Sequence, residues 1–415
     1  MSPVQTPLNR RLGIGVPLRG TGAGATLDGG DARRQSIAPA LLPVALVAAT
    51  LALSAIGLAA LRSVGGPQAA TSPWHHQAIW IVAGCIVLLV LSRIDYRVWL
   101  GWRPIIYALN AALLLLVLVH GHRALGAERW IQIGGLQLQV SEPAKVAFVL
   151  TLAALLETDA ASGHVTWRRA IRAAVDALPL LGLLLLQPDL STTLVFLAVL
   201  AGVLYAAGMP AWRLLLIGGG AVTLMLGAVY AKLKLHMHIP LPLHAYQLQR
   251  LATFINPHGA PLGANYNVMQ ARIAIGSGGM LGAGITHVST RLGFLPSATT
   301  DFAFAVVAHD LGFVASAAVL GLFMMLLALG TVIALRARDP GGALVAAGAI
   351  TLIGFQVFEN VGMALGLLPA AGVPLPFISY GGSAVVTEFA AVGLLLSVWR
   401  RAGREGSTFR NVPPG

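Results

Sequence analysis

Asp301 is the residue in this 415-residue chain whose setting most suggests chemistry. It closes a stretch, Ala231 to Thr300, that contains no Asp or Glu but carries Lys232, Lys234, Arg250, Arg272, Arg291 and five histidines. The field of such a segment is positive and implies an anionic ligand. A carboxylate at the edge of a cationic, partly desolvated cavity can stay ionised and still accept a proton, as a general base must. Asp301 also follows Thr299 and Thr300, and all three are residue types that cap helices. Spacing alone leaves the base and the cap level.

Only 15 residues are Asp or Glu, so the others can be weighed singly. Asp28, Asp31, Asp95, Glu157, Asp159, Asp339 and Glu405 lie in tails or connections and read as solvated charge. Asp176 lies four residues after Arg172, the spacing of an intrahelical pair. Asp310, nine residues after Asp301, is half a turn out of phase and cannot share its face in a continuous helix, so no carboxylate dyad is expected. Glu128, Glu142 and Asp189 fall on the same side as Asp301. Glu142 and Lys145 are one turn apart, behind the helix-start residues Ser141 and Pro143. They form either a salt bridge or a pair whose lysine faces a cavity and meets phosphate. Glu359, with Gln356 and Asn360, and Glu388 lie within apolar runs, where cost favours interior-facing contacts between helices.

Weaker patterns complete the set. Trp130 beside Arg129 suits an interfacial belt or a platform under a sugar ring. Gly276 to Gly284 could cradle an anion with its backbone, but a flexible turn explains it as well, and no phosphate-loop Lys-Ser/Thr follows. His236, His238 and His244 lack a nearby acid or thiolate to complete a metal set.

The elements that must hold these residues are membrane spans. Hydrophobic residues make up 57% of the chain and charged residues 10%, against roughly 25% charged in soluble domains. Ten apolar segments are of the length that crosses a bilayer: Ile37 to Leu61, Gln77 to Leu91, Pro104 to His120, Glu142 to Leu156, Ala170 to Leu186, Leu190 to Ala207, Trp212 to Tyr230, Asp301 to Leu335, Gly341 to Leu365 and Ser383 to Trp399. The eighth is too long for one crossing, and Gly312 should divide it into a short first helix and a spanning second. Placing the N terminus inside puts 18 Lys and Arg on inner connections and tails against 3 on the short outer loops, so both termini are expected in the cytoplasm. Residues 1–36 read as a disordered basic tail, 37–400 as the ten-helix membrane domain and 401–415 as a second short tail. Residues 231–300 read as one long outer loop, whose aromatic and Gly/Pro content suits short surface helices. The single cysteine, Cys85, excludes a disulfide framework, and the positive charges flank apolar runs rather than forming a face for nucleic acid.

Several motifs in one order resemble the SEDS family, meaning RodA, FtsW and SpoVE. They run from Gly126-Ala-Glu-Arg-Trp-Ile131 and Ser141-Glu-Pro-Ala-Lys145 through Gln187-Pro-Asp-Leu190 and Tyr246-Gln-Leu-Gln-Arg250. They continue through Asn256-Pro257, Pro261-Leu-Gly-Ala264, Tyr266 and Gln270 to Gly279, then Thr300-Asp-Phe302 and Gly372-Val-Pro-Leu-Pro-Phe-Ile-Ser-Tyr-Gly-Gly-Ser383. The forms Ala274-Ile-Gly-Ser-Gly-Gly279 and Val373-Pro-Leu-Pro376 look more like RodA than FtsW. The resemblance implies a peptidoglycan glycosyltransferase in the bacterial cytoplasmic membrane that polymerises lipid II for elongation, cell shape or division. It also implies a class B penicillin-binding transpeptidase and further elongation- or division-complex proteins as partners.

The resemblance makes Asp301 the base. It suggests substrate-binding roles for Arg129, Trp130, Glu142, Lys145, Gln187, Asp189, Arg250, Gln270, Arg272, Arg291, Ser379 and Tyr380. No cofactor is expected, with a divalent cation at the pyrophosphate the one addition left open. The chain departs from the family pattern near the site. Ser297 and Thr299 stand where the family has Glu and His, Ala283 where it has Lys, and His309-Asp310 where it has Glu-Glu. Two rival readings stand beside it: a flippase or transporter for a lipid-linked precursor, since Glu359, Asn360 and Glu388 at membrane depth could line a path, and a weakened paralogue serving as a morphogenesis scaffold, for which these departures are the motive.

Overall fold

The computed structural model describes residues 29–65, 73–120, 122–124, 127–133, 136–234, 245–255, 264–284, 295 and 297–404. Ten helices fall on the ten apolar segments: α1 (Gly29–Gly65), α2 (Pro73–Arg93), α4 (Arg103–His120), α5 (Ser141–Ser162), α6 (Trp167–Leu186), α7 (Leu190–Ala206), α8 (Ala211–Lys234), α11 (Ala303–Arg336), α12 (Pro340–Ala364) and α13 (Gly382–Arg404). Between them lie a short helix α3 (Tyr96–Gly101) and two helices of the long loop, α9 (Ala245–Ile255) and α10 (Ala264–Ser277). Seven of the helices are long and apolar enough to cross a membrane on length and composition alone. The chain is thus a multi-pass, essentially all-α membrane protein. Helix α1 begins upstream of the apolar run at Ile37, and the first 28 residues of the expected tail lie outside the described residues.

One element was not expected. The connection after α4 forms an antiparallel meander of β1 (His122–Ala124), β2 (Ala127–Ile133) and β3 (Leu136–Gln139), in which Trp130 pairs with Gln139 and Ile133 with Leu136. Its signal was present, because Ile131-Gln-Ile and Leu136-Gln-Leu alternate strictly around Gly134-Gly135, the pattern of a two-residue hairpin. The meander lands on α13, where the Gln139 N–H donates to Ser383 Oγ at 3.0 Å.

Helices α5, α12 and α13 form the centre, with Leu152, Leu352 and Leu395 fully buried. Close approach rests on small residues, as membrane packing requires. Gly348 of α12 faces Val149 of α5, and Gly202 of α7 faces Thr351 of α12. Several acids expected to be solvated instead bind structure. Asp95 caps α3 and pairs with Arg401, while Asp339 caps α12, accepts from Gly342 N at 2.8 Å and pairs with Arg97 at 2.8 Å. The Tyr96 hydroxyl also donates to Asp339, and its burial beside that carboxylate pushes the phenol well above its usual range. Asp176 pairs with Arg103 of α4 rather than with Arg172, which is exposed, because the acid faces the neighbouring helix.

The division at Gly312 is observed. Its φ of 77° and ψ of −173° interrupt α11, leaving the half-helix Ala303–Leu311 almost wholly buried. A break frees backbone groups that hydrocarbon cannot satisfy. The Gly-rich turn after α10 takes them: Ala283 N donates to His309 O at 2.9 Å and Gly284 N to Asp310 O at 3.1 Å, while Gly279 O and Met280 O accept from Phe313 N and Val314 N. The turn is therefore docked rather than flexible, and its backbone is committed to protein partners rather than to an anion. A Cβ on Gly312 would lie 2.3 Å from Gly282 N, in a left-handed conformation that already disfavours a side chain. Gly312→Ala should cost at least about 1–3 kcal/mol from backbone strain alone, read as a lower melting temperature of the detergent-purified protein. Wild-type melting would show that the turn can retreat freely.

Candidate active site

A cavity of about 250 Å³ opens where the segment before α11, the loop after α12 and the N-terminal ends of α5 and α7 converge. Asp301, Glu142, Lys145, Asp189, Arg250 and Tyr380 all line it. Residues that sequence distance kept 159 positions apart, Glu142 and Asp301, thus share one chamber. Asp301 and Arg250 approach each other over Gly372, since a Cβ built there would be 3.2 Å from Asp301 Oδ2 and 3.7 Å from Arg250 Nη1. Arg250 is steadied by donating Nη1 to Ala370 O at 2.9 Å and Ala371 O at 3.0 Å.

Phe302 rather than Asp301 stands at the N-cap position of α11, and the Phe302 side chain makes no capping bond. The Thr300 hydroxyl instead lies 3.4 Å from Ser297 O, so the expected Thr caps are absent as well. The acid sits in a turn from Ser297 to Phe302, whose first residue has a φ of 56°, strained for a side-chain-bearing residue. Three successive carbonyls of this turn are held from elsewhere. Tyr380 N donates to Thr299 O at 2.8 Å, Ser379 Oγ to Thr300 O at 2.6 Å, and Asn360 Nδ2 to Asp301 O at 2.8 Å. The Ser379 loop is itself fixed by Gln77 of α2, which donates to Ser379 O at 2.9 Å and accepts from Gly381 N at 3.2 Å. Gln77 was read only as the start of a span, although a carboxamide opening an apolar run is itself a signal.

The chamber is not the purely cationic vestibule expected from the long loop. Among the described residues its walls hold three carboxylates, from Glu142, Asp189 and Asp301, and two cations, from Lys145 and Arg250. Glu142 and Lys145 form the salt bridge at 2.7 Å, with side chains 3% and 1% exposed, and Lys145 lines the chamber at the same time. Lys145 Nζ also donates to Gln356 Oε1 at 2.8 Å, and Gln356 Nε2 donates to Glu388 Oε1 at 2.5 Å, a ladder joining α5, α12 and α13. This is the interhelical role expected of Gln356 and Glu388. Both Glu359 oxygens are buried without a hydrogen-bond partner. Asp189 caps α7 through Thr192 N at 3.2 Å and accepts from Thr192 Oγ1 at 2.9 Å and Ser141 Oγ at 3.1 Å. Ser141 is thus spent on Asp189, and the α5 N-cap is Val140 with no side-chain bond.

Among the candidates whose side chains are described, the others are not on the chamber wall. Gln187 is buried and donates to Leu114 O at 2.5 Å, holding α4 to the end of α6. Ser379 reaches backbone rather than the cavity, and Gln270 and Arg272 are on α10, with the Arg272 stem beside the Gly366 turn. Asp310 is not on the chamber wall; Asp301 precedes α11, so helical phase does not relate the two acids, and Asp310 instead contacts Ser63 Oγ at 2.5 Å and His309 Nδ1 at 2.8 Å. Arg129 and Trp130 lie on β2. Arg291, His236, His238 and His244 lie outside the described residues, and among those described no cluster of three or more His, Cys, Asp or Glu could hold a metal ion.

Comparison with known proteins agrees with this architecture. Among curated relatives, the peptidoglycan glycosyltransferase MrdB of Escherichia coli K12 is 37% identical over 321 residues, covering 77% of this chain and 83% of that protein. A probable peptidoglycan glycosyltransferase FtsW of Trichlorobacter lovleyi is 33% identical, covering 85% and 92%. Among solved structures, a chain from a peptidoglycan synthase complex that coordinates polymerisation and crosslinking superposes with a TM-score of 0.70 at 32% identity, covering 86% of this chain and 98% of that one. The rod shape determining protein RodA of Thermus thermophilus gives 0.63 at 30% identity, covering 86% and 97%. The cell cycle protein profile of FtsW, RodA and SpoVE matches residues 40–403, and the chain belongs to that family.

Proposed function

We propose that this protein is a peptidoglycan glycosyltransferase that polymerises lipid II at the outer face of the bacterial cytoplasmic membrane, with both termini in the cytoplasm. The observation that carries the reading is a carboxylate and two cations on one chamber wall: Asp301, Arg250 and Lys145. Asp301 takes the proton of the 4-hydroxyl on the acceptor GlcNAc while that oxygen attacks the anomeric carbon of the donor MurNAc. Configuration inverts, the bond to the diphosphate breaks, and undecaprenyl pyrophosphate leaves with its negative charge growing on the leaving oxygens. Lys145 and Arg250 meet that charge, and both are fixed before substrate arrives, so little reorganisation is needed as the charge develops.

The neighbouring structure of a complex coordinating polymerisation with crosslinking supports pairing with a class B penicillin-binding transpeptidase. The relatives named MrdB and RodA favour a part in elongation and cell shape. The excess of 18 positive residues on one side over 3 on the other supports the orientation. The test is a gel assay of lipid II polymerisation by the purified chain, with and without its transpeptidase. Glycan ladders are expected. Translocation of lipid II across vesicles without ladders would make the protein a transporter, and neither activity would leave the scaffold.

A further inference from the structure

We infer that Asn360 is a positioning residue for the glycosyl transfer, fixing the Asp301 turn against the adjoining loop at Val373. This rests on the reading of Asp301 as the base. The Asn360 side chain is fully buried on α12, and its single nitrogen donates twice, to Asp301 O at 2.8 Å and to Val373 O at 2.7 Å. The two acceptors belong to two adjoining segments that both line the site, the Ser297–Phe302 turn and the loop between α12 and α13. One planar amide group thereby sets the distance between the carboxylate's backbone and the wall at Gly372.

Three features make this a dedicated function rather than filler. The Asn360 Oδ1 is buried and has no hydrogen-bond partner, so burial of the amide is compensated only through its two donated bonds. Those acceptors also fix which way the amide points, because the reversed orientation would press an oxygen against two carbonyls. Finally, Asp301 O is not used by the helix that follows. Ala305 N and Val306 N both donate to Phe302 O, so the Asn360 donor takes the Asp301 carbonyl one step before the helical ladder begins. Asn360 was read from sequence as a contact between helices, and its partners are instead the two catalytic-side loops. Only a side chain with two N–H groups on one short stem meets both acceptors. Asp offers the same shape with no donor, and Leu offers neither.

The experiment uses the full chain purified with its transpeptidase and measures kcat and KM for lipid II together with the melting temperature. Asn360→Asp should lower kcat about 30- to 100-fold, with KM changed less than about threefold, because misplacing a reacting group taxes the chemical step more than binding. Ser379→Ala removes the neighbouring tie to Thr300 O, together with the bond that Ser379 Oγ accepts from Leu375 N, and is expected to lower kcat about 5- to 10-fold in a protein that still folds with a modestly lower melting temperature. It serves as the deciding variant if Asn360→Asp fails to fold. Wild-type kcat in a folded Asn360→Asp protein, or a kcat loss matched by an equal rise in KM, would overturn the inference. So would wild-type kcat in Ser379→Ala where Asn360→Asp cannot be purified. Asp301→Asn, assayed alongside, separates the two claims. If it keeps turnover, the base assignment falls and takes this role with it; if it is inert while Asn360→Asp is normal, the positioning role alone falls.

Discussion

Asp301→Asn is expected to reduce lipid II polymerisation by about 10²- to 10⁴-fold, the range that a positioned general base contributes, while protein yield and melting temperature stay near wild type. The substitution keeps the size and shape of the side chain and removes its negative charge and its ability to take a proton. The turn that carries it is held through backbone carbonyls, by Tyr380, Ser379 and Asn360, and none of those bonds involves the carboxylate. Loss of activity should therefore not arise from collapse of the turn. Asp301→Glu keeps the acid but lengthens its stem, and should recover only a small part of the rate because the carboxylate would then press on the wall at Gly372. An Asp301→Asn protein that still made long glycan strands at a comparable rate would require another base.

The second large effect is on the Glu142–Lys145 pair. Lys145→Met should destabilise the fold by about 3–5 kcal/mol, because it leaves Glu142 as an uncompensated charge that is almost fully buried. It also leaves Gln356 Oε1 without its donor, uncoupling the ladder to Glu388. The double variant Glu142→Gln, Lys145→Met removes both charges and should recover most of that stability, since replacing a buried pair together is far less costly than breaking it. Polymerisation should not return with stability, because one of the two cations on the chamber wall is gone. Thermal melts and glycan gels on the same three proteins check both halves, and full activity in the double variant would confine Lys145 to a structural role.

Much of the fold was legible because hydrocarbon permits so little. Runs such as Leu190 to Ala207 and Gly341 to Leu365 have to be helices, and the excess length of Asp301 to Leu335 with a glycine inside required a break. The meander was equally legible in principle, but its alternation spans only a few residues and was overshadowed by the spans on either side. At the site, Asp301 stood out because its flanking loop lacks acids. The chamber's actual charge did not, since Glu142 and Asp189 enter from α5 and α7, distant in sequence, and a field judged from one loop cannot include them. For the same reason Gln187 was given to substrate when its amide holds Leu114 O, and Asn360 was given to a helix contact when it serves two loops. Residue types announced polar groups at depth, and only packing decided what they face.

The interrupted helix at Gly312 joins two parts that sequence order keeps separate. Because the turn after α10 completes the backbone of the half-helix that begins two residues after Asp301, the outer loop and the acid are spliced into one stiff unit. A pull on that loop would therefore be transmitted through the paired backbones to the segment that carries Asp301.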